Sequence, residues 1–322
     1  LNIHVTARQI VGIYNTAYGL KLNNCSIEIV SENQSNLVGV FNNGNLDTHM
    51  ETRADNLVVE NGCIRVQIVQ RGMKESIVYG IFNHLANSIS LQNTFVYSTN
   101  IGIGKKQAAV GVFTNGRFGR IVGNNIKANG SHNTGNLKEQ AYSYGVVNEG
   151  LYNLIEANNI VGEWGGQCVG LENKGDFAKV NGNKILATHT IKGRSVRNYA
   201  NDSIFDGNIL TSTSRNPRLF EHEGCNCIIT NNMMEGLQLP QTYQSSVGLY
   251  AAAESATENL IAQNVIKNVC DCGIFANKNI GFVQNNIITT YAESSGFVKQ
   301  GLNTDERLAA KLDESRVHSI LD

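Results

Sequence analysis

Apolar and polar positions along this chain fall into a short phrase that keeps returning. Its form is apolar-x-x-Asn-x-apolar, seen as VVENGC at 58–63, SLQNTF at 90–95, IVGNNI at 121–126 and IEANNI at 155–160. It continues at 180–185, 205–210, 228–233, 261–266 and 283–288. The pivots are Asn61, Asn93, Asn124, Asn158, Asn183, Asn208, Asn231, Asn264 and Asn286, separated by 32, 31, 34, 25, 25, 23, 33 and 22 residues. A short recurring period announces a solenoid, with the shortest steps setting the coil and the longer ones carrying insertions. A second phrase, Gly-apolar-X, precedes most hexamers: Gly80-Ile81-Phe82, Gly111-Val112-Phe113, Gly145-Val146-Val147, Gly170-Leu171-Glu172, Gly248-Leu249-Tyr250 and Gly273-Ile274-Phe275. In two coils Ser195-Val196-Arg197 and Arg218-Leu219-Phe220 take its place.

Each coil thus holds at least two short segments rich in β-branched residues, broken by Asn and Gly turns, with no helical period and only 2 prolines in the chain. Stacked coils make parallel strands. An Asn at the same turn of every coil can bond its counterparts above and below, an amide ladder that only a solenoid allows. These repeats, over roughly residues 20–290, resemble the right-handed parallel β-helix superfamily of pectate lyases, polysaccharide hydrolases and bacteriophage tailspikes, where asparagine ladders are characteristic. The expected fold is all-β, a single-stranded right-handed parallel β-helix of about ten coils over residues 1–290, followed by a C-terminal segment, 291–322. Within that segment, residues 303–322 place Leu308, Leu312, Ser315 and Ser319 on one face after Thr304 as N-cap, which predicts a helix that caps the open end of the stack.

Alternation in the Gly-apolar-X strand is expected to turn the middle residue inward together with the residue before Gly: Tyr79, Val110, Tyr144, Val169, Val247 and Cys272. The outward X row then reads Phe41, Phe82, Phe113, Val147, Glu172, Arg197, Phe220, Tyr250 and Phe275, aromatics flanking a charged centre. Such a stripe either stacks sugar rings or is covered by a neighbouring subunit. Around the centre stand Glu149, Glu172, Glu221, His222 and Glu223, with Glu163 and Trp164 in the turn EWGG. Glycoside hydrolysis uses two carboxylates, and strand geometry puts Glu149 about 8 Å from Glu172, inside the ~6.5 to 9.5 Å span of inverting enzymes. An ion pair between Glu172 and Arg197 is the structural alternative. His222 is read as a surface histidine. Lys192, Arg194, Arg197, Arg215 and Arg218 put five cations on two coils, suited either to an acidic polysaccharide or to the nearby glutamates.

Composition narrows the class. The 26 Lys+Arg balance 27 Asp+Glu, against a nucleic-acid or membrane-surface partner, and no apolar run reaches the ~20 residues of a membrane span. The pairs Cys225-x-Cys227 and Cys270-x-Cys272 fall on inward core positions rather than forming a zinc site, and seven cysteines without framework spacing fit assembly in a reducing cytosol. No cofactor or metal is expected. The resemblance implies a tailspike-like homotrimer assembled in the host cytoplasm, part of a virion tail, that hydrolyses a bacterial surface polysaccharide. Glu172 with Glu149 or Glu221 would be the carboxylates, Arg197 and Arg218 would hold substrate, and Trp164, Phe113, Phe220 and Tyr250 would stack sugars. A non-catalytic adhesin stalk and a polysaccharide lyase are the alternatives.

Overall fold

The computed structural model describes residues 2–4, 9–32, 36–44, 54–69, 75–101, 107–130, 142–188, 192–214, 216–236, 246–269, 272–291, 295–299 and 315–320. Within them 33 strands, from β1 (Asn2–His4) to β33 (Ser315–Ile320), assemble into three parallel sheets of twelve, eleven and ten strands, here A, B and C. Neighbours in every sheet are three strands apart in sequence until the C-terminal end, so each coil adds one strand to B, then one to C, then one to A. Hydrophobic residues drive this closure. Ile126 on sheet A, Ile121 on sheet C and Val112 on sheet B are 0 to 1% exposed, as are their counterparts in successive coils. Full burial of each such side chain contributes about 1.5 to 3 kcal/mol.

The expected amide ladder exists at the C-to-A turn. Asn124, Asn158, Asn183, Asn208, Asn232, Asn264 and Asn286 are buried, and each Nδ2 donates to the next Oδ1 at 2.9 to 3.0 Å. Three pivots are corrected. Asn61, Asn93 and Asn231 sit one residue earlier, at left-handed φ of 52°, 48° and 55°, while Gly62, Thr94 and Asn232 occupy the ladder position. A second ladder was not foreseen. At the end of sheet B, Asn15, Asn42, Asn83 and Thr114 bond in series, and Asn148, Asn173, Asn198 and His222 form another buried series.

Glycine decides which way sheet B faces. A Cβ on Gly111 would lie 2.5 Å from both the Gly145 carbonyl oxygen and Ile126 Cγ2, so the glycine row points into the core and a side chain at this glycine would clash. Gly and the residue after it both face inward, which bends the strand. The residue before Gly therefore turns outward, contrary to the expected alternation: Tyr79 lies 4.7 Å ring to ring from Phe82, and Val110, Tyr144, Val169 and Arg194 follow in register with Tyr79.

Insertions enter mainly at the A-to-B corner. Between β13 (Asn125–Asn129) and β14 (Tyr142–Asn148) lie twelve residues, and between β28 (Val265–Val269) and β29 (Cys272–Ala276) only two, whereas the C-to-A turn keeps two in nearly every coil. The expected helix over 303–322 falls for most of its length outside the described residues. Its final part, Ser315–Ile320, is a strand pairing with β31 (Asn286–Tyr291).

Candidate functional site on the outer face of sheet B

Three outward rows cross sheet B. The middle row is set by register through β11 (Gln107–Thr114), β14, β17 (Gln167–Asn173), β20 (Lys192–Asn198), β23 (Arg218–His222) and β26 (Val247–Ala251), reading Phe113, Val147, Glu172, Arg197, Glu221, Tyr250. Phe220 is therefore displaced from this row. It pairs with Val196, is 0% exposed and packs edge-on against Phe205 at 4.9 Å, so it is a core residue and cannot stack a sugar. Glu221 takes its place. This coil has Leu219, and the one before it Ser195, where the others have glycine, and without that marker the frame slips by one.

The carboxylates and cations interleave along the stack. Lys174 Nζ lies 3.0 Å from Glu149 Oε1 and 2.9 Å from Glu172 Oε1. Arg197 bridges Glu172 Oε2 at 3.7 Å and Glu221 Oε1 at 3.6 Å. Glu221 Oε2 also receives Arg194 Nε at 2.5 Å and faces Arg218 Nη1 at 3.4 Å. The two oxygens that share Lys174 are thus closer together than the ~6.5 to 9.5 Å of an inverting pair.

Charge follows from these contacts. Burial pushes the Glu221 carboxyl up, but the guanidinium of Arg194, bonded to it, and those of Arg218 and Arg197 outweigh burial and hold it below the usual range. Glu221 is consequently an anion at neutral pH and cannot donate a proton to a leaving group. Burial works against the Lys174 ammonium, yet its bonds to Glu172 and Glu149 raise its pKa above that of an ordinary lysine. Tyr144 is pushed up to about 12, first by burial and then by the Glu172 charge, and remains a neutral phenol.

Aromatic groups surround the cluster. On the N-terminal side Phe41, Phe82 and Phe113 pack in a tilted series at 5.0 and 4.9 Å, with Tyr14 edge-on to Phe41. On the other side Tyr250 stacks on Phe275 at 5.3 Å and 6°, and Arg218 covers the Tyr250 ring at 3.6 Å, so both of its faces are used. Trp164 stands elsewhere. It precedes β17, at the A-to-B corner, whereas Glu172 is near the other end of that strand.

His222 is corrected outright, being 0% exposed and part of the inner ladder. Cys227 is buried as expected and burial raises its thiol to about 11, whereas Cys225 is only half-buried and Cys272, though covered, stands in the outward row in register with Val247 and Arg218; no metal-holding cluster occurs among the described residues. Arg215 and Cys270 lie outside the described residues. Sequence reasoning missed Lys174, whose only signal was its place two residues beyond Glu172 on the same face. It also missed a column at the B-to-C turn where Phe118, Tyr152 and Phe177 stack at 5.4 and 4.8 Å, 42 to 58% exposed and all at positive φ.

No protein-family model matches the chain, and no curated protein sequence does. Among solved structures it is similar to the crystal structure of the Dettilon tailspike protein (gp208), with a TM-score of 0.54 and 14% identity over 93% of this chain. The fold is a tailspike-like right-handed parallel β-helix. This β-helix corresponds to 61% of the length of that tailspike. No described helix is long and apolar enough to cross a membrane.

Proposed function

We propose that this tailspike-like β-helix is the body of a phage depolymerase that binds a bacterial surface polysaccharide along the outer face of sheet B and hydrolyses it. The observation that carries the reading is the cluster of Glu149, Lys174, Glu172, Arg197 and Glu221, set in one outward band between two aromatic stacks. Core packing does not require charge there, since the middle-row positions in coils on either side are Phe113, Val147 and Tyr250. Glu149 and Glu172 are the catalytic pair in this reading. Lys174 holds them together, Arg197 orients the sugar, and Glu221 fixes the three guanidinium groups. Homotrimeric assembly would leave this band open to solvent or complete it from a neighbouring subunit, in a virion tail acting at the cell surface.

A second reading, a non-catalytic receptor-binding stalk, is favoured by one fact: the Glu172 and Glu221 side chains are only 8% and 7% exposed beneath their cations. The two are separated by measuring reducing-end release from capsule and O-antigen preparations with the wild type and Glu172→Gln. New reducing ends that vanish in the variant, without the ultraviolet absorbance of an unsaturated product, are the expected result. Rising absorbance would make the enzyme a lyase. Intact binding to cells with no cleavage of any preparation would establish the stalk.

A further inference from the structure

In the sheet B cluster Arg197 and Arg218 are more exposed than the Glu172 and Glu221 carboxylates they pair with, and this layering bears on the ligand. Side-chain exposure is 41% for Lys174, 34% for Arg218 and 24% for Arg197, against 8% for Glu172 and 7% for Glu221. Lys174, Glu149 (35% exposed) and the half-buried Glu223 belong to the third outward row, at the margin beside the B-to-C turn, so the cations over the middle are Arg197 and Arg218. A molecule approaching the middle of sheet B therefore meets nitrogen donors first.

Those donors outnumber their acceptors. A guanidinium carries five N–H groups, and Arg194, Arg197 and Arg218 converge on Glu221, whose two oxygens offer about four lone-pair sites. The Arg197 and Arg218 side chains are also held in place. Arg218 lies on the Tyr250 ring at 3.6 Å and Arg197 on the Tyr199 ring at 4.6 Å, which limits the rotamer entropy lost when either fork closes on an anion.

Resting on the glycan-binding reading, we infer that the site selects an acidic polysaccharide, with the carboxylate of a uronate- or sialate-type sugar received by Arg197 and Arg218. A neutral polymer would leave the exposed forks solvated and gain nothing from them. A carboxylate exchanges that water for charge-assisted, bidentate hydrogen bonds.

The test uses the whole chain and bacterial surface polysaccharides on a biosensor, each acidic polymer presented natively and after chemical reduction of its carboxyl groups to alcohols. Native acidic polymer is expected to bind, and its reduced form to bind at least ~10-fold more weakly, the usual weight of a charged hydrogen bond. Arg218→Gln should weaken the native polymer by ~10- to 100-fold with little change for the reduced one. Lys267→Gln, an exposed cation on sheet A, should change neither. Should Arg218→Gln fail to fold, Arg218→Lys keeps the charge without the fork and is expected to fall between. Equal affinity for native and reduced polymer, or preference for neutral polymers, would overturn the inference while leaving glycan binding intact. Failure to bind any polysaccharide, acidic or neutral, would overturn both.

Discussion

His222→Asn isolates an acid-sensitive element of the core. The ring of His222 ends an amide series, accepting from Asn198 Nδ2 at Nδ1 across 3.1 Å, so asparagine can continue the ladder in its place. Burial disfavours the imidazolium and lowers the pKa to about 4 from 6.5, and the neighbouring Asn259 side chain and Gly224 backbone recover only part of that shift. A histidine depressed in the folded state binds its proton more readily when unfolded, so its contribution is complete above pH 6.5 and is lost as pH falls toward 4. Between pH 7 and pH 4.5 this linkage removes about 2 to 3 kcal/mol from the wild type. Glu221, whose carboxyl is also depressed by folding, loses its contribution in the same direction, as pH falls below the ordinary carboxylate range. It is common to both proteins and cancels. Guanidinium unfolding followed by circular dichroism at the two pH values, at one protein concentration, gives the comparison. The wild type should lose about 2 to 3 kcal/mol more than His222→Asn over this interval. Parallel losses in the two proteins would refute the buried, neutral histidine.

Other perturbations follow from the same contacts. Glu221→Gln strands Arg194, 12% exposed, together with the inner donors of Arg197 and Arg218, and should cost about 3 to 5 kcal/mol in a thermal or denaturant melt. Asn183→Ala removes a rung bonded to Asn158, Asn208 and the Ile155 carbonyl, and should cost about 1 to 3 kcal/mol by the same melt. Asn61→Gly, at a turn position with φ of 52°, should stay within about 0.5 kcal/mol of wild type, because glycine accepts that backbone and no buried rung depends on it.

Coil number and ladder could be read from the sequence because every coil must solve the same turn problem with the same residue type. The phase could not be read everywhere. Asparagine suits two adjacent places in the C-to-A turn for unrelated reasons, the left-handed backbone of Asn61 or Asn231 and the buried rung of Asn232, and pattern matching does not distinguish them. The second ladder was visible in principle, as an Asn following the outward residue in Phe41-Asn42, Phe82-Asn83, Val147-Asn148, Glu172-Asn173 and Arg197-Asn198. The charged centre was legible because it breaks an aromatic row. Its inner arrangement was not, since simple alternation ignores the inward bend at the glycine row that brings Arg194 and Arg218 out beside Glu221.

The corner between sheets A and B varies in length from coil to coil more than the other turns do. Apart from fourteen residues between β5 (Asn36–Asn43) and β6 (Val58–Glu60), the turns beside the amide series keep nearly constant lengths, while this corner ranges from two residues to twelve without disturbing strand register on either side. It therefore behaves as a graft site. Loops exchanged there alter the rim where a long polymer would enter or leave sheet B, and the hydrogen-bonded spine beneath needs no retuning, so recognition can diversify faster than the fold that supports it.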